Sequence, residues 1–142
     1  MRVETDFVSV KLPVPPSVNV AFASRHGSAA LTKTAQYRFW EQQVQDAHGY
    51  GEMLGTLSAG DYGLWISLSK ELRGDIDNRI KLLSDIIKTP KYGQCGLGIV
   101  KDDKFMTAVY VEKIGGMARD ECMISAVRAH TWGSYILMRL EL

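Results

Sequence analysis

The stretch from Arg73 to Asp85 holds the side chains best suited to chemistry, and it reads Arg-Gly-Asp-Ile-Asp-Asn-Arg-Ile-Lys-Leu-Leu-Ser-Asp. On a helical wheel its isoleucines and leucines form an apolar stripe and a neighbouring apolar sector. The remaining polar arc is narrow and consists of Asp77, Asn78, Lys81, Ser84 and Asp85. Because ionisable groups are costly to bury unless they pair or bind something, we expect this arc to face a cleft, a partner or a metal ion.

Two structural explanations compete with a chemical role for these residues. Asp77, Lys81 and Asp85 are spaced as a ladder of ion pairs, which would stabilise a helix by only ~0.2–0.5 kcal/mol per pair. Asp75 lies just before the predicted helix, where its carboxylate could cap the N-terminus. Capping accounts for one aspartate of the Asp-Ile-Asp sequence but not for both.

A second acidic pair, Asp102 and Asp103, follows a short apolar run. A solvent-exposed turn would account for this pair. Alternatively, one of the two converges with Asp75 and Asp77 on a divalent ion, and carboxylates without His or Cys favour Mg²⁺ or Mn²⁺ over zinc. Such an ion lowers the pKa of a bound water and neutralises charge on a scissile phosphate. Lys81, one turn beyond Asp77, would then stabilise the transition state.

The composition is that of one folded domain. The chain has 142 residues and a net charge of +1, with 46% apolar and 23% charged residues, which is typical of a globular protein. Cys95 and Cys122 are too few for a disulfide scaffold and lack a metal-binding spacing, so we expect reduced thiols.

The longest uncharged stretch, 12–24, contains three of the four prolines and is too short to span a membrane. Without an apolar signal region at the N-terminus, we expect a cytoplasmic protein.

The elements that must position the acidic residues follow from the apolar periodicity. Alternation predicts strands over 7–12, 61–69 and 107–113. Two main helices are predicted, one from Thr32 or Thr34 as N-cap to His48 and one over 77–88. The segment 117–129 is compatible with a strand or a helical insertion, and 135–142 is predicted to be a terminal strand. This order predicts an α/β (α+β) domain with a mixed sheet, in which Trp40 and Trp65 belong to the core.

Three segments of the chain together resemble a known family. They are Leu-Pro-Val-Pro-Pro-Ser-Val-Asn at 12–19, Gly-Asp-Ile-Asp-Asn-Arg-Ile-Lys followed by Asp85 at 74–85, and Val-Lys-Asp-Asp at 100–103. In this order they resemble the RusA family of Holliday-junction resolvases, which phages and prophages often carry. The first resembles the opening L-P-x-P-P-S-x-N of the family, and the second its D-x-D-N-x-x-K-x-x-x-D motif.

The resemblance implies a RusA-like fold and a homodimeric endonuclease that binds four-way DNA junctions. Such an enzyme makes paired symmetric nicks with Mg²⁺, for which Mn²⁺ substitutes, in DNA recombination and repair. The catalytic metal ligands of the family correspond to Asp75, Asp77 and Asp103, with Asp102 as the alternative ligand, and its catalytic lysine to Lys81. The resemblance and position assign supporting roles to Asn19, Asn78 and Asp85.

The chain departs from the family's pattern in three ways. The interval from Asp85 to Asp103 is longer than in the shortest members, with 88–98 as an insertion, and the C-terminal part 113–142 matches poorly. The net charge of +1 is low for a junction-binding protein, so DNA binding would require a concentrated basic face. The candidate residues for this face are Arg25, Lys33, Arg38, Lys70, Arg73, Arg79, Lys88 and Lys91.

The residues leave three other functions open. The same carboxylates would serve a broader metal nuclease that cuts flaps, single strands or RNA. A non-catalytic module that binds branched DNA would also contain these segments. The third alternative is a small metal-binding interaction protein with no affinity for DNA.

Overall fold

The structure is a computed structural model that describes residues 2–24, 31–91 and 93–140. Its strands are β1 (Glu4–Thr5), β2 (Phe7–Pro13), β3 (Phe22–Ser24), β4 (Leu31–Lys33), β5 (Thr56–Leu57), β6 (Tyr62–Ser69), β7 (Met106–Ile114) and β8 (Glu121–Arg128). Its helices are α1 (Val18–Ala21), α2 (Ala35–His48), α3 (Ile80–Ile86) and α4 (Ala129–Leu140). Two short 3-10 turns cover Ile76–Arg79 and Asp103–Phe105.

A four-stranded mixed sheet lies at the centre, with the strands in the order β2, β8, β6, β7. Strand β8 is antiparallel to both of its neighbours, whereas β6 and β7 are parallel. The predicted α+β class with a mixed sheet is therefore confirmed. The segment that was compatible with a strand or a helical insertion forms β8, because it pairs with β2 on one side and β6 on the other.

One face of the sheet packs against α2 and α3. The predicted first helix is confirmed, with Thr34 as its N-cap: the Thr34 side chain accepts a hydrogen bond from the backbone N–H of Tyr37 at 3.3 Å. Tyr37, Trp40 and Val44 are buried on the inner side of this helix. Trp40 also donates its Nε1–H to the carbonyl of Pro13 at 2.7 Å, so α2 is fastened to the end of β2.

The other face of the sheet is covered by α4, so the predicted terminal strand over 135–142 is wrong. Trp132, Tyr135 and Ile136 are spaced by three and one residues, which places them on one side of a helix. They pack with Trp65 of β6 and Val127 of β8 in a second apolar cluster. Residues 141 and 142 lie outside the described residues. Because both faces are covered, every residue of β6 is buried.

The second predicted helix starts differently from the expectation. The residues of the Asp-Ile-Asp motif enter a 3-10 turn, and the α-helix proper is the seven-residue α3. The apolar run at 97–100 follows the end of α3, where Leu97 and Ile99 donate backbone hydrogen bonds to Ile86 and Ile87, each at 2.8 Å. This pairing brings the second acidic pair close to the end of α3. In the three described ranges no helix has the length and apolarity to cross a membrane.

Candidate nucleic-acid cleft

The Asp-Ile-Asp motif lies in an exposed loop beyond the C-terminal end of β6. Asp75 has an extended backbone with φ of −76° and precedes the 3-10 turn, but its carboxylate makes no capping hydrogen bond. Lys113 of β7 fixes the preceding part of this loop, because its Nζ donates hydrogen bonds to the carbonyls of Leu72 and Gly74, each at 2.9 Å. Asp75 and Asp77 are both exposed. The capping explanation therefore does not account for Asp75.

Arg79 links the motif to the proline-rich segment. Its Nε donates to the carbonyl of Pro15 at 3.0 Å, and a terminal nitrogen donates to the carbonyl of Arg73 at 3.5 Å. Burial lowers the pKa of Arg79 from its usual range. These contacts connect two of the segments on which the family resemblance depends. Asn78 is half-buried in the same turn, and Asn19 is exposed on α1.

Lys88 joins the end of α3 to the second acidic pair. Its Nζ lies 3.3 Å from a carboxylate oxygen of Asp85 and 3.4 Å from one of Asp103. Lys81 also contacts Asp85, at 3.4 Å, so the structure forms the Lys81–Asp85 half of the predicted ladder. Burial by itself would lower the pKa of Lys88, but the two carboxylates outweigh it and raise this pKa.

Asp102 and Asp103 stand at the start of the turn that leads into β7. Asp102 accepts a hydrogen bond from the backbone N–H of Lys104 at 3.2 Å. This bond, together with a side-chain hydrogen bond to Asp103, lowers the pKa of Asp102. The hydroxyl of Tyr62 approaches the carbonyl of Asp102 at 3.4 Å. Burial, with Asp103 and Asp102 as further causes, raises the pKa of Tyr62 well above its usual range, so this hydroxyl keeps its proton.

The structure does not bring the predicted metal ligands Asp75, Asp77 and Asp103 together. Asp103 precedes Met106 at one end of β7, whereas the loop before Asp75 is bonded to Lys113 near the other end. At ~3.3 Å per residue, the seven steps along the strand from Met106 to Lys113 span about 23 Å. Taking Asp102 as the alternative ligand does not change this. In the part of the chain that the structure describes, no three His, Cys, Asp or Glu side chains are placed to hold a metal ion.

The structure instead collects charged residues in a cleft of about 460 Å³ between α2, α3 and the segment before β7. Its lysines are Lys33, Lys81, Lys88, Lys91 and Lys101, and its carboxylates are Glu41, Asp85, Asp102 and Asp103. We call this cavity the lysine cleft. It therefore contains Lys81, Asp85 and both members of the second acidic pair, but not Asp75 or Asp77. Ammonium groups near carboxylates are suited to binding a phosphodiester and acting on it.

The remaining predicted DNA contacts fall in different places. Lys33 lines the lysine cleft, and Arg38 lines a smaller adjoining cavity on α2. Lys70 and Arg73 lie in the exposed loop after β6, at the opposite end of the sheet from the cleft. The predicted contact Arg25 lies outside the described residues.

Sequence reasoning missed Glu41, which is the most buried carboxylate of the cleft. Its side chain is only 10% exposed and lies 2.9 Å from Nζ of Lys33. The ammonium of Lys33 also sits 4.7 Å from the centre of the Tyr37 ring. Burial first, and Glu41 second, raise the pKa of Tyr37 well above its usual range. The signal was present in the helical period, because position 41 follows positions 37 and 40 on the same face of α2.

Both cysteines are free. Cys95 lines the cleft and donates its Sγ–H to Oε1 of Gln45 at 3.4 Å. Burial raises the pKa of Cys95, and in the core it raises that of Cys122 to about 12. A thiol with a raised pKa is a poor nucleophile at neutral pH, so neither cysteine is a candidate for covalent chemistry.

Comparison with protein-family models finds none that matches this chain. A search of curated proteins finds no match either. The resemblance to the RusA family thus rests on the three sequence segments, and the function has to be argued from them and from the lysine cleft.

Proposed function

We propose that this chain is an endodeoxyribonuclease that cuts four-way DNA junctions by paired symmetric nicks, as a homodimer in the cytoplasm of a bacterial or phage-infected cell. The observation that carries the proposal is the lysine cleft, which unites Lys81 with Asp85 and the Asp102–Asp103 pair. These residues come from two of the three segments that resemble the RusA family. A two-fold dimer would present two equivalent clefts, as symmetric nicking requires.

The charges of the cleft support a site for the DNA backbone. In the free protein, Lys33 is paired with Glu41, and Lys88 is paired with Asp85 and Asp103. A phosphate that enters the cleft competes with these carboxylates for the ammonium groups. The carboxylates of Asp85 and Asp103 then lie beside the bound phosphodiester, where they are placed to orient water or to accept a proton from it. Lys81 offsets negative charge that develops on the phosphate oxygens.

The requirement for Mg²⁺, or for Mn²⁺ in its place, stays a prediction of the family resemblance. Asp103 precedes one end of β7 and the loop before Asp75 is bonded near its other end, and no group of three such side chains is placed to hold an ion in the described ranges. The roles proposed for Asp85, Asp103 and Lys81 therefore do not depend on a bound metal ion. The same separation favours a second candidate function, a module that binds branched DNA without cutting it.

Cleavage of a labelled synthetic four-way junction tests the proposal directly, with linear duplex, single strand and a flap substrate run beside it. Each is incubated with Mg²⁺ or with EDTA. We expect paired nicks that are confined to the junction and absent in EDTA. Asp103→Asn and Lys81→Ala should each reduce nicking by about 100-fold or more, since a group that transfers a proton or stabilises charge contributes ~10²–10⁴-fold. Junction affinity should change much less.

The matched control is Asp120→Asn, because Asp120 is an exposed aspartate just before β8 at the far end of the sheet. This variant should nick at the wild-type rate. Asp77→Asn then distinguishes the two ends of the sheet. If nicking is lost in both Asp77→Asn and Asp103→Asn, both ends of the sheet take part in cleavage. If nicking is lost in Asp103→Asn alone, the chemistry is confined to the lysine cleft.

Two other results would replace the proposal. Tight junction binding without nicking by the wild type would identify the non-catalytic DNA-binding module. Equal cutting of junction, flap and single strand would identify the broader nuclease. An absence of any DNA binding would exclude both of these functions as well as the proposed one, as expected for the small metal-binding interaction protein.

A further inference from the structure

A second cavity of about 300 Å³ lies directly against the lysine cleft. Thr89, Lys101 and Asp102 line both cavities, so the cavities share a wall that is formed by two chain segments, at Thr89 and at 101–102. The other walls of the second cavity are mainly apolar or aromatic and include Leu57, Ala59, Tyr62, Ile99, Val100 and Phe105. We call it the apolar cavity. The cleft beside it is, by contrast, rich in charge.

The walls of the apolar cavity are held in place by backbone hydrogen bonds. Leu57 donates its N–H to the carbonyl of Ile99, and Val100 donates to Ile87, at 2.8 and 3.1 Å. The hydroxyl of Thr56 donates to the carbonyl of Gly98 at 2.8 Å. Tyr62 is only 1% exposed. A preformed, mostly apolar cavity with a few polar groups at its edge is typical of a site for a small flat ligand.

We infer that the lysine cleft and the apolar cavity together bind one nucleotide of a DNA strand, with its phosphate in the cleft and its base in the cavity. A nucleotide consists of an anionic phosphate linked through a sugar to a flat base, whose faces pack against apolar groups and whose edge is polar. The two cavities offer these two environments on either side of Lys101 and Asp102. Thr89 and Asp102 are polar residues that line both cavities, at the boundary where the edge of a base would lie.

The inference rests on the proposed function and adds to it that a base leaves the stack beside the phosphate that is bound. Removing a base from a regular duplex is costly, and the cost is smallest where pairing or stacking is already interrupted. The branch point of a junction is such a place. The apolar cavity would therefore favour branched over linear DNA, and it would be the place where the identity of one base is read.

The test has two steps. A larger side chain first fills the apolar cavity of the protein, and the base that would then no longer fit is removed from the DNA substrate. Ala59 is exposed and lines this cavity but not the lysine cleft, so Ala59→Leu narrows the cavity without touching the cleft. Ala118→Leu is the matched control, because Ala118 is an exposed alanine in the turn between β7 and β8. Thermal melting of both variants checks that they are folded.

We expect Ala59→Leu to lower kcat/KM on the intact junction by roughly tenfold, in line with the loss of one stacked base. A junction with an abasic site next to the nick, tested at each nucleotide around the branch point, should restore the variant to within about threefold of wild type at one position. Ala118→Leu should behave as wild type on every substrate. If no abasic position restores Ala59→Leu, or if its kcat/KM is unchanged, the inference is overturned.

Binding of free mononucleotides distinguishes a failure of this inference from a failure of the proposed function. If the wild type neither binds nor cuts junctions, the proposed function falls, and the two cavities are tested with dCMP and dAMP against deoxyribose 5-phosphate. Tighter binding of the nucleotides, lost in Ala59→Leu and kept in Ala118→Leu, would retain a nucleotide site. Equal affinity for all three ligands, or no binding of any, would overturn it.

Discussion

Lys88 is the residue that holds the lysine cleft together in the free protein. Its ammonium group lies between Asp85 on α3 and Asp103 before β7, at 3.3 and 3.4 Å. The predicted insertion over 88–98 lies between these two carboxylates in the sequence. Without the positive charge between them they would repel each other. Lys88 therefore sets the separation between the two sides of the cleft.

We predict that Lys88→Met lowers the free energy of unfolding by about 1 kcal/mol at neutral pH, since partly exposed ion pairs contribute ~0.2–1 kcal/mol each. The folded-state pKa of Lys88 is raised above its ordinary value of 10.5. The stabilisation is thus fully present below pH 10.5 and is lost as the pH rises through the higher folded-state pKa. Urea denaturation of the wild type and the variant, at neutral pH and at a pH above that value, measures this difference.

Lys91→Met is the control for the loss of a lysine from the same cleft, because Lys91 is exposed. Its free energy of unfolding should stay within about 0.5 kcal/mol of wild type. Equal destabilisation by the two lysine variants would contradict the role assigned to Lys88.

At the scale of elements, α4 depends on a glycine in the strand beneath it. Gly63 of β6 faces the ring of Trp132, and a Cβ at this position would lie 2.6 Å from a ring atom. Beside this contact Trp65 packs edge-on against Tyr135, with ring centres 5.7 Å apart, and donates its Nε1–H to Glu112 of β7 at 2.9 Å. The glycine thus allows a helix rich in aromatic residues to lie flat on the sheet.

We expect Gly63→Ala to destabilise the protein by about 1–3 kcal/mol, the usual cost of overpacking a well-packed site. Because the clash is with Trp132, the tryptophan emission spectrum of the folded variant should also shift. Gly115→Ala is the control, since a Cβ at Gly115 would meet no atom within 4 Å and this glycine does not have a positive φ. Denaturant titration followed by tryptophan fluorescence measures both effects, and an unchanged midpoint for Gly63→Ala would show that α4 is not packed in this way.

At the scale of the whole molecule, charge is distributed unevenly although the net charge is only +1. Two regions, each with both acidic and basic side chains, lie at opposite ends of the sheet, because β6 and β7 are parallel. One is the lysine cleft, and the other is the exposed loop with Asp75, Asp77, Lys70 and Arg73. If DNA binds at the cleft, the salt dependence of binding should be sensitive to lysines at that end.

Junction binding should weaken steeply with salt, because each phosphate that the protein neutralises adds about 0.9 to the slope of log K against log salt. We predict that Lys101→Ala, in the cleft, reduces this slope by about 1. Lys70→Ala, at the other end of the sheet, should leave the slope unchanged. Fluorescence anisotropy of a labelled junction at several salt concentrations measures the slopes, and the opposite result would place the DNA at the Asp75 loop.

Several elements could be predicted from the residues because local patterns dominate them. Strands β2, β6 and β7 follow from alternation, and α2 follows from its N-cap Thr34 and the spacing of its buried aromatic residues. The C-terminal segment was misassigned because 135–142 also admits an alternating pattern. The segment is helical because the helix buries an otherwise exposed face of the sheet: Trp132 and Tyr135 pack against residues of β6 and β8.

The sequence by itself determined the class of the fold and which side chains are suited to phosphate chemistry. Only the tertiary structure decided which of these side chains meet. Spacing along the chain predicts neighbours within a helix or a strand, but the parallel register of β6 and β7 sends Asp75 and Asp103 to opposite ends of the sheet. The same register, with the pairing of 97–100 to the end of α3, brings Asp103 to Lys88 and Asp85 instead. Contacts between distant segments depend on strand register and packing, which local spacing does not encode.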